Sequence, residues 1–226
     1  MNLFDLDHTT IPIADTDDEF PVRRVYCIGR NYAAHAREMG HDPDREAPFY
    51  FMKPADALVT GSDSIDYPPR TADLHHEIEM VVAIGKNGAN ISPDSALEHV
   101  FGYAVGIDLT RRDLQGEAKK LGRPWDTAKG FDQSAPISPI HTVADVGHPT
   151  SGRIWLALND EIRQLGDLNE LIWGVDEAIV ELSTLYELKQ GDLLFTGTPA
   201  GVGAVDRGDR LSGGIDGIDE IAITIK

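Results

Sequence analysis

Three carboxylates occupy positions where apolar side chains are expected. Glu77 and Glu79 lie in the run HHEIEMVVAIG, and Asp108 lies in the run GYAVGIDLT. Both runs are rich in apolar and β-branched residues and are flanked by turn residues, which predicts two strands. Because side chains alternate along a strand, Glu77 and Glu79 should project on one side, and Ile78 and Met80 on the other.

This spacing of acids indicates a metal site. Neighbouring carboxylates repel one another and are costly to bury unless a positive group lies between them. Three oxygen ligands from two strands suit a hard divalent cation such as Mg2+ or Mn2+. From the residues alone, solvated acids on edge strands remain the alternative.

Two further pairs of polar residues stand three positions apart, the spacing that shares a helix face. His35 and Glu38 lie in GRNYAAHAREMG, and Arg112 and Gln115 follow Asp108. A carboxylate beside an imidazole favours the protonated ring and fixes its orientation, which suits a base that activates water. Such pairs are also common on helix surfaces, so surface roles stay open.

Two segments in the second half of the chain can contribute polar groups to a site. Lys129, in PWDTAKGFD, could polarise a carbonyl group or could be a surface charge. The glycine-rich segment TGTPAGVG, at 196–203, follows an apolar run, and its backbone N–H groups could form a nest for a carboxylate. A tight turn is the alternative reading of this segment.

Composition excludes several classes of function. With 38 acidic residues against 20 lysines and arginines, the formal charge is −18, so nucleic acid and anionic membranes are poor partners. A small anionic substrate requires a pocket with a positive local field. A single cysteine, Cys27, excludes an internal disulfide, and the acidic N-terminus is unlike a signal peptide. No apolar stretch approaches the roughly 20 residues of a membrane span, so we expect a cytoplasmic protein.

The predicted elements indicate a β-rich α+β fold with a few short helices. Strands outnumber helices, and no regular β-α-β alternation appears. The predicted strands are 22–28, 57–59, 62–67, 77–84, 154–159, 161–164, 193–196 and 221–225. The predicted helices are 31–39, 95–99, 112–121 with Thr110 as its cap, and 175–185. We expect a tight turn at 159–160, and one catalytic domain at 21–226 after a turn-rich lead-in at 1–20.

Five ordered segments resemble the fumarylacetoacetate hydrolase family. They are YCIGRNYAAHAREMG, FMKPADALV, HHEIEMVVAIG, GYAVGIDLTRRDLQGEAKKLGRPWDTAKGFDQSAP and GDLLFTGTPAGVG. Their order and spacing are similar to the short, single-domain acylpyruvate hydrolase branch, from residue 22 to the C-terminus. The segments GRNYAAHAREM and GDLNELIW are most similar to fumarylpyruvate hydrolases of gentisate-type aromatic degradation. The resemblance implies a fumarylacetoacetase-like mixed β-sandwich or roll.

The resemblance also implies roles for individual residues. Those that match the family's metal ligands are Glu77, Glu79 and Asp108, usually with Mg2+ or Mn2+. Those that match its catalytic positions are His35 and Glu38, a water-activating dyad on a lid helix, and the active-site lysine Lys129. Those that match its substrate-contacting positions are Arg112, Gln115 and, in the glycine-rich loop, Thr198. Trp125 is expected in the core rather than in a substrate site.

The implied reaction is the metal-dependent hydrolysis of a carbon–carbon bond in a 2,4-diketo acid. Fumarylpyruvate, which gives fumarate and pyruvate, is the expected substrate, and a homodimer is the expected assembly. Oxaloacetate decarboxylation and keto acid isomerisation on the same scaffold are the alternatives. A non-enzymatic protein that binds divalent ions or small acids predicts a damaged constellation, whereas every matched polar position is filled here.

Overall fold

Strands form most of the regular structure in the computed structural model, which describes residues 3, 8–33 and 46–226. The strands of this part are β1 (Thr10–Pro12), β2 (Glu19–Pro21), β3 (Arg24–Gly29), β4 (Phe49–Lys53), β5 (Leu58–Val59), β6 (Ser64–Ile65), β7 (Leu74–His76), β8 (Ile78–Ile84), β9 (Val100–Ile107), β10 (Thr110–Arg111), β11 (Ala135–Pro136), β12 (His141–Thr142), β13 (Arg153–Leu158), β14 (Glu161–Asp167), β15 (Asp192–Phe195), β16 (Gly203–Val205), β17 (Arg210–Ile215) and β18 (Asp219–Ile225). The α-helices are α1 (Arg112–Leu121), α2 (Asp126–Lys129), α3 (Val143–Val146) and α4 (Val175–Leu185). Short 3-10 helices lie at Ala55–Ala57, Pro93–His99 and Leu168–Glu170.

Strands β8 and β9 are neighbours in a six-stranded sheet with the order β12-β9-β8-β15-β3-β4. Glu79 lies in β8, Glu77 directly precedes β8, and Asp108 directly follows β9. Adjacent strands are antiparallel except for β15 and β3, which run parallel. Every residue of β8 is buried because apolar clusters cover both faces of this sheet. Met80 and Val82 belong to one cluster, and Val81 and Ala83 belong to the other. This alternation is the one that the sequence predicted.

A second sheet, of five strands in the order β14-β13-β17-β18-β6, packs against the first. Ile154 and Leu156 of β13 and Ile223 of β18 are buried in the same cluster as Ile78 and Met80 of β8. Helix α4 adds its apolar face to this cluster. Burial of so much apolar surface between two sheets is the main stabilising term of the fold. The predicted β-rich α+β class is confirmed.

A two-residue turn joins β13 to β14. Asn159 and Asp160 have φ angles of 51° and 67°, and the flanking residues Leu158 and Glu161 are paired. A hairpin of this type needs left-handed backbone at both central positions, which Asn and Asp tolerate better than most residues. The tight turn predicted at 159–160 is confirmed.

The sequence predicts Thr110 as the cap of the helix at 112–121, and this prediction is wrong. Helix α1 has the predicted bounds, but the residue before it is Arg111, and no side chain caps its first turn. Thr110 lies in β10, where it pairs with His75, and its buried hydroxyl is 3.3 Å from Glu77 Oε1. Strand pairing with β7 therefore fixes Thr110 in an orientation that faces the acidic cluster.

The other predicted helices have three different outcomes. The helix predicted at 175–185 is α4, with the same bounds. The segment predicted at 95–99 is a 3-10 helix at Pro93–His99. Residues 34–39 of the helix predicted at 31–39 lie outside the described residues.

Within the part of the chain that the structure describes, no helix is both long enough and apolar enough to cross a membrane.

Residues near the N-terminus pack on the central sheet. Strands β1 and β2 form an antiparallel pair, and Ile11 and Phe20 are buried in the same cluster as Val25 and Leu193. Ile13 forms a parallel bridge with Ile140. The division between a lead-in at 1–20 and a domain at 21–226 stays a prediction.

Candidate active site

The register of two strands brings the three acidic residues together. In the antiparallel pair β8 and β9, Ile78 lies opposite Ile107, and one step further the amide of Asp108 donates to the carbonyl of Glu77 at 2.8 Å. One carboxylate oxygen from each of Glu77, Glu79 and Asp108 lies within 4.8 Å of the others, and all three residues are buried. The structure therefore gathers the predicted ligands into one cluster.

Gly106 lies opposite Glu79 and leaves no room for a side chain. A Cβ atom at Gly106 would lie 2.6 Å from Phe195 Cε1 and 2.7 Å from Val81 Cγ2. We expect Gly106→Ala to lower the free energy of unfolding by about 1–3 kcal/mol, because the added methyl overpacks a closed core. Thermal or urea unfolding would measure the change.

Gly116, on α1, provides the matched control for that substitution. A Cβ atom there meets nothing within 4 Å, and its backbone is helical. Gly116→Ala should raise the free energy of unfolding by up to about 1 kcal/mol, because alanine favours the helix. Equal effects at the two sites would contradict the close packing around Gly106.

Three cationic side chains surround two of the carboxylates. Lys129 Nζ lies 2.9 Å from Glu77 Oε2 and 2.6 Å from Asp108 Oδ2. Lys53 Nζ lies 2.9 Å from Asp108 Oδ1, and Arg112 Nη2 donates a hydrogen bond to Glu77 Oε1. The Lys53 contact is an ion pair rather than a directed hydrogen bond, because its ammonium group donates to backbone carbonyls instead.

Lys129 is a buried but protonated lysine. Burial pulls the pKa of Lys129 down, but the carboxylates of Asp108 and Glu77 outweigh burial and raise the pKa above its ordinary value. Its ammonium group is therefore a hydrogen-bond donor and a source of positive charge, and it is not a base at neutral pH.

Glu79 differs from the other two acids. Its Oε2 accepts a hydrogen bond of 2.7 Å from the Gly197 amide, but among the described residues no lysine, arginine or histidine forms an ion pair with it. Burial, and then the charges of Asp108 and Glu77, raise the pKa of Glu79 well above its usual range. A buried carboxylate without a cation, in a cluster of oxygen donors only, fits a hard divalent metal ion.

The predicted substrate-contacting residues line the same pocket as the acids. Arg112 Nη1 donates to Gln115 Oε1 at 2.7 Å, which leaves the amide N–H groups of Gln115 as its donors. Thr198 Oγ1 donates to the carbonyl of Ile78 at 2.7 Å and accepts from Gln164 Nε2 at 2.8 Å. An anion at this loop would therefore use backbone N–H groups rather than the Thr198 hydroxyl proton. The roles of these residues stay predictions.

Two residues to which sequence reasoning assigned no role hold the site in place. Gln164, fully buried on β14, accepts from the Ile78 amide and donates to Thr198 Oγ1 and to the carbonyl of Pro199. It thereby ties the glycine-rich loop to β8. Asn31 donates to the carbonyl of Thr196 at 2.9 Å, just before that loop. A glutamine in the charged run EIRQLGD gives no sequence signal, whereas Asn31 lies in the family segment GRNY.

Aromatic side chains form one wall of the pocket. Phe49, Phe51 and Trp125 line it, and the rings of Phe49 and Trp125 meet edge to face with centroids 5.4 Å apart. The prediction that Trp125 is a core residue is therefore wrong. Because Pro124 precedes it in an exposed turn between α1 and α2, Trp125 lies beside the pocket rather than in the sandwich.

The predicted water-activating pair lies outside the described residues. His35 and Glu38 fall in 34–45, so their roles and the lid helix stay predictions.

Comparison with known proteins identifies the family to which this chain belongs. A profile of the fumarylacetoacetate (FAA) hydrolase C-terminal domain matches residues 24–226. Fumarylpyruvate hydrolase from Ralstonia sp is 46% identical over 189 residues, which cover 83% of this chain and 98% of that protein. Oxaloacetate decarboxylase from Dictyostelium discoideum is 38% identical over 198 residues, covering 87% of this chain and 90% of that protein. The crystal structure of fumarylpyruvate hydrolase from Pseudomonas aeruginosa, in complex with Mn2+ and pyruvate, is 53% identical with a TM-score of 0.97, covering 100% of this chain and 99% of that chain. This chain belongs to the fumarylacetoacetate hydrolase family.

Proposed function

We propose that this chain hydrolyses the carbon–carbon bond of an acylpyruvate, with fumarylpyruvate as the substrate and fumarate and pyruvate as the products. The observation that carries the proposal is the cluster of three buried carboxylates beside a protonated lysine, in a pocket that also holds Arg112 and Gln115. The Ralstonia and Pseudomonas relatives, both fumarylpyruvate hydrolases, support this substrate.

Glu77, Glu79 and Asp108 would hold the divalent cation. When bound, the ion supplies a Lewis acid that stabilises negative charge on the enolate of pyruvate. We propose Mg2+ or Mn2+, because the donors are all oxygens and no thiolate or imidazole belongs to the cluster found in the described residues. The Mn2+ in the Pseudomonas structure supports this class of ion.

The protein's side chains would move the proton and stabilise charge. His35, oriented by Glu38, takes a proton from water, whose oxygen attacks the carbonyl carbon of the acyl group. Lys129, with Gln115 and Arg112, donates hydrogen bonds to the oxyanion that forms. The bond between that carbon and the methylene carbon of the pyruvoyl group then breaks, and its electron pair stays on the pyruvoyl fragment as the enolate. The proton that His35 took from water passes to the methylene carbon and completes pyruvate.

The experiment that tests this function compares three substrates. Steady-state turnover of fumarylpyruvate, acetylpyruvate and oxaloacetate would be measured with Mg2+ or Mn2+, and again with EDTA. We expect fumarylpyruvate to have the highest kcat/KM and EDTA to abolish its turnover. A preference for oxaloacetate would assign the chain to decarboxylation, the activity for which the Dictyostelium relative is named.

We propose a homodimer, an assembly that the resemblance implies, and exposed apolar side chains on the edge strand β14, Ile162 and Leu165, are available to an interface. Light scattering after size-exclusion chromatography would test the dimer.

We place the reaction in the cytoplasm, which the single buried thiol of Cys27 supports. Its pathway is proposed to be the degradation of aromatic compounds.

A further inference from the structure

Two cations in the pocket are not used by the acidic cluster. Lys53, Lys129 and Arg112 form ion pairs with Asp108 and Glu77. Arg30 and Lys119 line the same pocket, but among the described residues neither forms an ion pair. The charges of Arg30 and Lys119 therefore have no acidic partner in the described part of the chain, although the protein has a net charge of −18.

The aromatic wall packs against both of these cations. Arg30 Cζ lies 5.3 Å from the ring centroid of Phe49, and Lys119 Nζ lies 5.1 Å from that of Trp125. Because the Phe49 and Trp125 rings are in edge-to-face contact, the cations lie against the two members of one aromatic pair. Among the described residues, aromatic packing rather than an acidic partner therefore positions the two cations.

Two observations show that holding Arg30 and Lys119 beside this pocket costs free energy. Arg30 has a φ angle of 60°, in the left-handed region that a long side chain rarely adopts. Lys119 has exposed surface at the rim of the pocket, yet packing around its ammonium group, followed by the charges of Arg112 and Arg30, lowers the pKa of Lys119 to about 8. It remains mostly protonated at pH 7, in a field that favours an incoming anion.

We infer that Arg30 and Lys119 form a second anion subsite, which binds the carboxylate at the far end of a dicarboxylic acylpyruvate. This inference rests on the proposed function. The acidic cluster and its metal hold the pyruvoyl end, the aromatic wall contacts the unsaturated chain, and the two cations receive the distal carboxylate. Acylpyruvates that end in a methyl group gain nothing from this subsite.

The test compares two substrates that differ at the distal end. Fumarylpyruvate has a distal carboxylate, whereas acetylpyruvate is a 2,4-diketo acid that ends in a methyl group. At pH 7, we expect Lys119→Met to raise KM for fumarylpyruvate about 5- to 20-fold. An ion pair at the rim of a pocket is weaker than a buried charge-assisted hydrogen bond but stronger than a fully exposed ion pair. KM for acetylpyruvate and kcat for both substrates should change less than about twofold. Lys119→Arg should restore KM for fumarylpyruvate.

Lys120→Met is the matched control, because it removes the same charge from the next residue of α1 without touching the pocket. It should leave both substrates unaffected. Arg30→Gln should repeat the Lys119→Met pattern, and inhibition by fumarate should weaken in both variants while inhibition by pyruvate does not. Equal rises in KM for the two substrates would overturn the subsite while leaving the proposed function intact. Failure of the unaltered enzyme to turn over fumarylpyruvate would overturn both.

Discussion

Glu79→Gln is expected to lower metal-dependent kcat by about 10³-fold or more. The substitution removes one of three oxygen ligands, and a metal that stabilises an enolate contributes several kcal/mol to the transition state. Glutamine keeps the size of the side chain and can still accept the Gly197 hydrogen bond, so the local backbone should hold. Calorimetric titration with Mn2+ would measure the lost affinity, and the substrate assay would measure the lost rate.

The same variant should be more stable than the parent protein when both lack metal. Because the pKa of Glu79 is raised in the folded state, its ionisation opposes folding at neutral pH, and glutamine removes that cost. We expect a gain of about 1 kcal/mol or more, equivalent to about 2–4 °C in Tm. The gain should shrink as the pH falls towards the ordinary glutamate pKa, where the unfolded chain also binds the proton.

Glu77→Gln is the matched control for the stability effect. Glu77 has ion pairs with Lys129 and Arg112, so its removal should leave buried cations with weaker partners and lower the metal-free Tm. Opposite signs at positions 77 and 79 are the expected result. A metal-free Glu79→Gln protein that melts below its parent would contradict the cost of the buried Glu79 charge. A variant that keeps metal-dependent turnover would contradict the assignment of Glu79 as a metal ligand.

His35→Ala is expected to reduce hydrolysis of fumarylpyruvate by about 10²- to 10⁴-fold. The variant removes the group that takes a proton from water, while the metal ligands are untouched. Mn2+ affinity should therefore stay close to that of the parent. Any oxaloacetate decarboxylation should also persist, because loss of carbon dioxide requires no attacking water.

His8→Ala serves as the control for the imidazole itself, because His8 is exposed near the N-terminus. It should leave turnover of both substrates unchanged. Loss of Mn2+ binding in His35→Ala, or equal losses of hydrolysis and decarboxylation, would count against His35 as the base that activates water.

The metal cluster could be predicted from the sequence because it depends on local rules. Alternation along a strand places Glu77 and Glu79 on one side, and the apolar neighbours of each acid show that its strand is buried. The position of Asp108 directly after β9 then follows from antiparallel pairing with β8. Strand periodicity and an unexpected charge were sufficient for this part of the site.

Other parts of the site depend on contacts between distant segments and gave no local signal. Gln164 is a polar residue of the edge strand β14, and only the folded sandwich shows that its amide is buried against β8. Thr110 has the residue type and spacing of a helix cap, but pairing with β7 prevails over that local preference. Trp125 is apolar enough for a core, yet the turn between α1 and α2 places it beside the pocket.

Turnover in water enriched in oxygen-18 would show whether water attacks the acyl carbon of fumarylpyruvate. Fumarylpyruvate would be turned over to completion with Mn2+, and the masses of the products would be measured by mass spectrometry. A sample with EDTA is the control. Hydrolysis predicts one oxygen-18 atom in the carboxylate of fumarate and no reaction in EDTA. Consumption of fumarylpyruvate without oxygen-18 in a fumarate product would contradict attack by water at the acyl carbon, and undiminished turnover in EDTA would contradict the metal site.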